Sequence, residues 1–177
     1  MKKIIFFLIA LLISGNVFAQ VLNSHQLPID TWRSSYASFW NNKVNKTATW
    51  GKWLMSTKPY WDNIFDVQMK SSSSMVTVIE LFKPSATEDN AKKMDTAMRA
   101  VNKDFYQTMQ GISPPEELKA LHAIMLEESL LMTIFNGQDK GQVEAKMEGL
   151  VVKFQKEQDR VFKQHGVPQR IIDGFLK

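Results

Sequence analysis

Residues 59–83 read PYWDNIFDVQMKSSSSMVTVIELFK, and how this stretch folds decides the architecture. The β-branched run Met75–Phe82 suggests a strand and the four serines Ser71–Ser74 suggest a linker. The hydrophobic period favours a different reading. At 100° per residue, Trp61, Ile64, Phe65, Met69, Met75, Val76, Ile79 and Phe82 share one face. Asp62, Asp66, Lys70, Ser73, Thr77 and Glu80 share the opposite one. The phase runs unbroken through the serines, as one amphipathic helix requires and a helix–loop–strand does not. Val67, Val78 and Leu81 depart from the pattern and widen the apolar face.

The same reasoning extends in both directions. Pro59, Pro84, Pro114-Pro115, Gly137 and Gly166 punctuate the chain, and proline favours helix starts as glycine favours helix ends. Ser85 and Glu88 have capping-box spacing, and Ala91, Met94, Met98, Val101, Phe105, Met109 and Ile112 then recur at threes and fours, giving a helix near 86–110. Ser113 is expected to cap a helix that starts at Pro114 and ends at Asn136, accepting from the Glu116 amide. Val143, Met147, Leu150, Val151, Phe154, Val161 and Phe162 define a fourth helix near 139–165, and IIDGFLK ends the chain in one further turn. Segments of about 23–27 residues joined by very short links force antiparallel neighbours. The expected fold is all-α: an up-and-down antiparallel bundle of four long helices plus an N-terminal helical segment. In that segment Trp32, Tyr36, Phe39, Trp50 and Leu54 share a face with Lys43, Lys46 and Thr47. Either the helix breaks near Asn41–Thr47, or charges point inward there.

The chain opens MKKIIFFLIALLISGNVFAQ. Lys2 and Lys3 precede ten apolar residues, Ile4–Ile13, and Val17-Phe18-Ala19 fits a small-residue cleavage site, the pattern of a cleaved signal peptide over 1–19. Ten apolar residues fall short of the roughly 20 that span a bilayer. The expectation is an exported chain, periplasmic or secreted, with 20–177 as a single domain and no transmembrane segment after cleavage. The absence of cysteine excludes disulfides and acylation at a lipoprotein cleavage site. Removing Lys2 and Lys3 lowers the formal charge from +4 to +2, and no dense basic run or nucleic-acid motif occurs, so nucleic acid is not an expected partner.

Chemistry is sparse. No nucleophile elbow, zinc-protease, P-loop or dinucleotide motif is present, and no cofactor is expected. His122 lies at the edge of an apolar helical face beside Leu118, Met125, Ser129 and Thr133. An enzyme reading rests on His122 and Glu128. A soft-metal reading suited to copper joins His122 and Met125 to Met94 and Met98 across an antiparallel contact. Glu127 and Glu128 diverge by 100°. Glu128 points to the Leu121/Met132 side, where burial calls for a cation such as Arg99, Lys43 or Lys46. The strongest anomaly is aromatic: all five tryptophans, Trp32, Trp40, Trp50, Trp53 and Trp61, fall within 30 residues. Trp32, Tyr36, Trp40, Trp50 and Trp53 are therefore the expected surface for an aromatic-stacking ligand or partner protein. The resulting expectation is a non-enzymatic exported binding protein, its ligand and oligomeric state unspecified.

Overall fold

The computed structural model describes residues 29–82, 87–134 and 140–175. Helix α1 spans Ile29–Ser38 and continues as a π-turn over Phe39–Lys43. The long helices are α2 (Thr49–Phe82), α3 (Glu88–Gln110), α4 (Lys119–Ile134, entered through a 3-10 turn at Glu116–Leu118) and α5 (Lys140–Gln164). A short helix α6, Gln169–Ile172, follows. Sequential helices pack against one another, α2 on α3, α3 on α4 and α4 on α5, and no strand occurs among the described residues. The protein is an all-α, up-and-down bundle with an N-terminal helical segment.

The serine run lies inside α2. Ser73 and Ser74 turn their hydroxyls back onto the carbonyls of Met69 and Lys70 at 2.9 and 3.1 Å, and Thr77 does the same to Ser73 at 3.1 Å. Back-bonding of this kind satisfies the hydroxyls within the helix and removes their competition with it. The apolar positions from Trp61 to Ile79 are buried or half-buried as the period requires, whereas Leu81 is exposed.

Several boundaries differ from the sequence reading. Pro59 does not begin a helix; it sits in α2, whose 34 residues start at Thr49. Proline strips the preceding turn of a backbone donor. Here Ser56 donates to the Trp53 carbonyl at 2.7 Å and Thr57 to that of Leu54 at 3.0 Å, holding the turn before the proline. The helices are consequently less well matched in length than expected. Ser113 does not cap α4: the chain stays extended through Pro115, and a 3-10 turn precedes the helix. At α3 the cap is Thr87, whose hydroxyl accepts from the Asn90 amide at 3.3 Å. Ser85, the link after Phe82, the end of α4 near Gly137 and residues 1–28 with the expected signal peptide lie outside the described residues.

Between α1 and α2 the chain breaks rather than burying its lysines. Val44 is extended and buried, Asn45 Oδ1 accepts from the Thr47 amide and hydroxyl at 3.1 and 2.8 Å, and Lys43 and Lys46 are exposed. This turn lies directly on the first turn of α2. A Cβ at Gly51 would stand 1.7 Å from the Asn45 carbonyl oxygen, so only glycine lets the two backbones approach this closely. At the other end Gly166, with a φ of 72°, ends α5 in the left-handed conformation.

Replacing Gly51 with alanine is expected to cost about 2–3 kcal/mol, because a backbone carbonyl rather than a flexible side chain must move. The measurement is urea unfolding, and an unchanged midpoint would contradict the close contact.

Candidate functional site

The aromatic residues gather at one end of the bundle. Trp32 packs with Phe65 and Met69. Tyr36 stacks on Phe65 with centroids 4.0 Å apart and donates its hydroxyl to Asp62 at 2.9 Å; burial and the carboxylate push its pKa up. Trp40 meets Phe39 and Phe175 edge to face, with the Lys58 ammonium 5.5 Å from its ring. Phe175, beyond α6, also meets Trp61 and Phe162, each at 4.9 Å.

Of the five residues expected to form a binding surface, Trp32 and Trp40 are buried, and Tyr36, Trp50 and Trp53 are half-buried. Tyr36 and Trp40 meet edge to face with centroids 6.0 Å apart. Trp50 covers the main core from outside. Trp53 lies flat on the His165 ring at 4.0 Å and donates its indole N–H to Glu117 at 3.1 Å, joining α2 to the turns before α4 and after α5.

A groove of about 1040 Å³ opens on the other side of the same segment, between α1 and α6. Phe39 and Ile171 are its apolar floor, and Thr31, Ser34, Ser35 and Ser38 are exposed along its α1 wall. Asp30, Lys43 and Arg170 supply charge of both signs, and none of the three forms an ion pair among the described residues. The helical period explains the arrangement. In α1 the aromatic positions 32, 36, 39 and 40 anchor one face to α2 and Phe175, which leaves the hydroxyl-bearing positions outward. Sequence reasoning followed the aromatics and passed over this serine stripe, whose signal was its spacing at threes and fours.

The residues proposed for chemistry are buried apart from one another. His122 is 5 % exposed, its Nδ1 lies 3.1 Å from the Tyr60 hydroxyl, and the ring also bonds to the Met109 backbone. A carbonyl only accepts, so the ring nitrogen facing Met109 carries the proton and Nδ1 accepts from Tyr60. Burial lowers the His122 pKa and holds the ring neutral. Glu128 lies about 9 Å further along the helix axis, so the pair assumed by the enzyme reading is not assembled. Nor is the methionine cluster. Met125 belongs to the main core, while Met94 and Met98 pack with Met75 in a separate cluster between α2 and α3. The described residues contain no group of three or more His, Cys, Asp or Glu placed to hold a metal ion.

Glu128 corrects a further expectation. It is 2 % exposed, yet no cation reaches it among the described residues: Arg99 bonds to Asp95 at 2.8 Å, and Lys43 and Lys46 are at the surface. The carboxyl adapts by keeping its proton, since burial raises its pKa to about 8. Other buried polar side chains of the long helices are Thr57, Gln68 and Ser72 of α2, Ser129 of α4 and Gln158 of α5. Glu128 Oε1 and Gln158 Nε2 have no hydrogen-bond partner. Apart from the main core, an α2–α3 cluster and an α4–α5 cluster form separate apolar groups.

Comparison with known protein families, curated proteins and solved structures found no match.

Glu128 ionises near pH 4.5 when unfolded and near pH 8 when folded. Between those values only the folded state keeps the proton, so stability falls as pH rises through this window, by about 3 kcal/mol at pH 7. In urea unfolding, Glu128→Gln is expected to match the wild type near pH 4.5 and exceed it by about 2–3 kcal/mol at pH 7. An equal effect at both pH values would mean that the buried carboxyl is not neutral.

Proposed function

We propose that this chain is an exported, non-enzymatic binding protein that holds a segment of a partner protein in the groove between α1 and α6. The observation that carries the reading is the groove itself. It is open, its floor is apolar at Phe39 and Ile171, and a row of hydroxyls runs beside charges of both signs. An extended peptide presents alternating apolar and polar groups and matches such a wall. A small-molecule reaction centre instead needs converging polar groups, and His122 and Glu128 are sequestered in the core.

Export is part of the proposal and rests on the first 19 residues, where Lys2 and Lys3, the apolar run Ile4–Ile13 and the Val17-Phe18-Ala19 end follow the order of a cleaved signal. The periplasm is the compartment we favour, with secretion as the alternative. No described helix is long and apolar enough to cross a membrane. The aromatic residues of α1 serve the same proposal indirectly. Trp40 lies against Phe39, one residue of the groove floor, at a centroid separation of 5.5 Å, so an occupant would alter the environment of that indole.

Two measurements check this. Amino-terminal sequencing of the chain from its native compartment is expected to begin at Gln20; an intact Met1 would remove the export part. A photo-crosslinking residue at Ser35 is expected to trap a partner polypeptide, and the same residue at Glu148, on the far side of the bundle, is not. With Lys43→Glu and Arg170→Glu together, the Ser35 adduct is expected to drop about tenfold. Equal trapping at both positions, or none at Ser35, contradicts the groove reading.

A further inference from the structure

We infer that the outer face of α4 and α5 is the contact surface for a second copy of this chain, joined about a two-fold axis parallel to the helices. The inference is independent of the groove at α1. The outward positions of α4 are Ala120, Ala123, Glu127, Leu130 and Ile134, all exposed. Their spacing alternates between three and four, the seam by which one helix packs on another. Leu130 and Ile134 are 42 % and 63 % exposed, large apolar side chains left in water on an ordered helix. Next to them, α4 and α5 enclose a shallow trough of about 400 Å³ in which Gly149 faces open space: a Cβ there would meet nothing within 4 Å. A knob and a hollow thus lie on the same face. Beneath them the core is a thin α4–α5 layer of Leu131, Met132, Val143, Met147 and Leu150, without the aromatic cover of the opposite end.

Charge selects the occupant and its orientation. The trough is rimmed by Glu127 on α4 and by Lys146 and Lys153 on α5, and none of the three forms an ion pair among the described residues. Because α4 and α5 run antiparallel, the cluster joining Leu131 and Met132 to Met147 and Leu150 sets Glu127 level with Lys153, and Ile134 level with Lys146. Two two-fold axes place this face on itself. An axis across the helices lays Lys146 over Lys153 of the other copy, like charge on like. An axis along the helices lays α4 over α5 of the other copy. Glu127 then meets Lys153 of the other copy, the reciprocal pair forms by symmetry, and Leu130 comes over the hollow at Gly149. The second arrangement makes a four-helix layer in which every neighbour is antiparallel, continuing the pattern within the chain. The face is self-complementary in shape and in sign.

Sedimentation velocity over a concentration series of the purified chain tests this. The wild type is expected to show a reversible monomer–dimer equilibrium. Ile134→Arg, at an exposed position, is expected to weaken the dimer by at least ~100-fold with the circular dichroism and melting of the monomer unchanged. Glu127→Lys and Lys153→Glu are each expected to weaken it about tenfold, and the double exchange to return it to within about threefold of the wild type. A wild type that is monomeric at every concentration overturns the inference. So does a dimer indifferent to Ile134→Arg, or a double exchange whose losses add instead of cancelling. Recovery of a monomer with an acyl lipid or a foreign helix on this face overturns it too, by naming a different occupant.

Discussion

The structure depends on the edge-to-face packing of aromatic rings around Phe175. This one side chain, three positions past a four-residue helix, touches Phe39 and Trp40 of the π-turn, Trp61 of α2 and Phe162 of α5. Neither α1 nor α6 is long enough to persist as a helix by itself, since helix nucleation needs more residues than either supplies. Each acquires its conformation by burying aromatic or branched side chains against the long helices. Rings that meet at 4.9–6.1 Å with large interplanar angles place positive edges on negative faces, which makes the packing directional as well as apolar.

That concentration of packing at one end leaves a different situation at the other. Away from the main core the apolar contacts separate into two pairs of helices, and the long helices also bury polar groups, Glu128 among them. Glu128 is accommodated there in its neutral form, because an ionised carboxylate at 2 % exposure without a cation would cost several kcal/mol. The bundle is therefore firmly joined where α1, α2, α5 and α6 converge and more thinly covered along α4–α5. The groove occupies the first region and the self-complementary face the second, so the two surfaces sit on parts of the fold that are built differently.

Much of the helical framework was legible in the chain because helices report their buried face through local spacing. The register of Trp61, Ile64, Phe65, Met69, Met75 and Ile79 carried the serine run into α2, and the hydroxyl-to-carbonyl bonds of Ser73 and Ser74 supply the local reason. Pro59 misled because its meaning is positional: the same ring that starts many helices lies within α2 here, past its first two turns. The tryptophans show a different limit: Trp32 and Trp40 are buried, whereas Trp50 and Trp53 are half-buried. Clustering in sequence does not say which side of a helix faces its neighbour.

By itself the sequence determined the fold class, most helix positions, the absence of disulfides, the place of His122 at the edge of an apolar face and that of Glu128 on the Leu121/Met132 side, all of which follow from side-chain identity at fixed helical spacing. Only the tertiary structure decided how Glu128 is accommodated, since that depends on whether a cation from another helix reaches it. It also decided that Asn45 and Gly51 lie backbone to backbone, that His122 is occupied by Tyr60, and that Met94 and Met98 pack away from Met125. Tyr60 and His122 are 62 residues apart, and the methionines lie on different helices. The existence of such contacts turns on how helices rotate against one another, a quantity that no local period encodes.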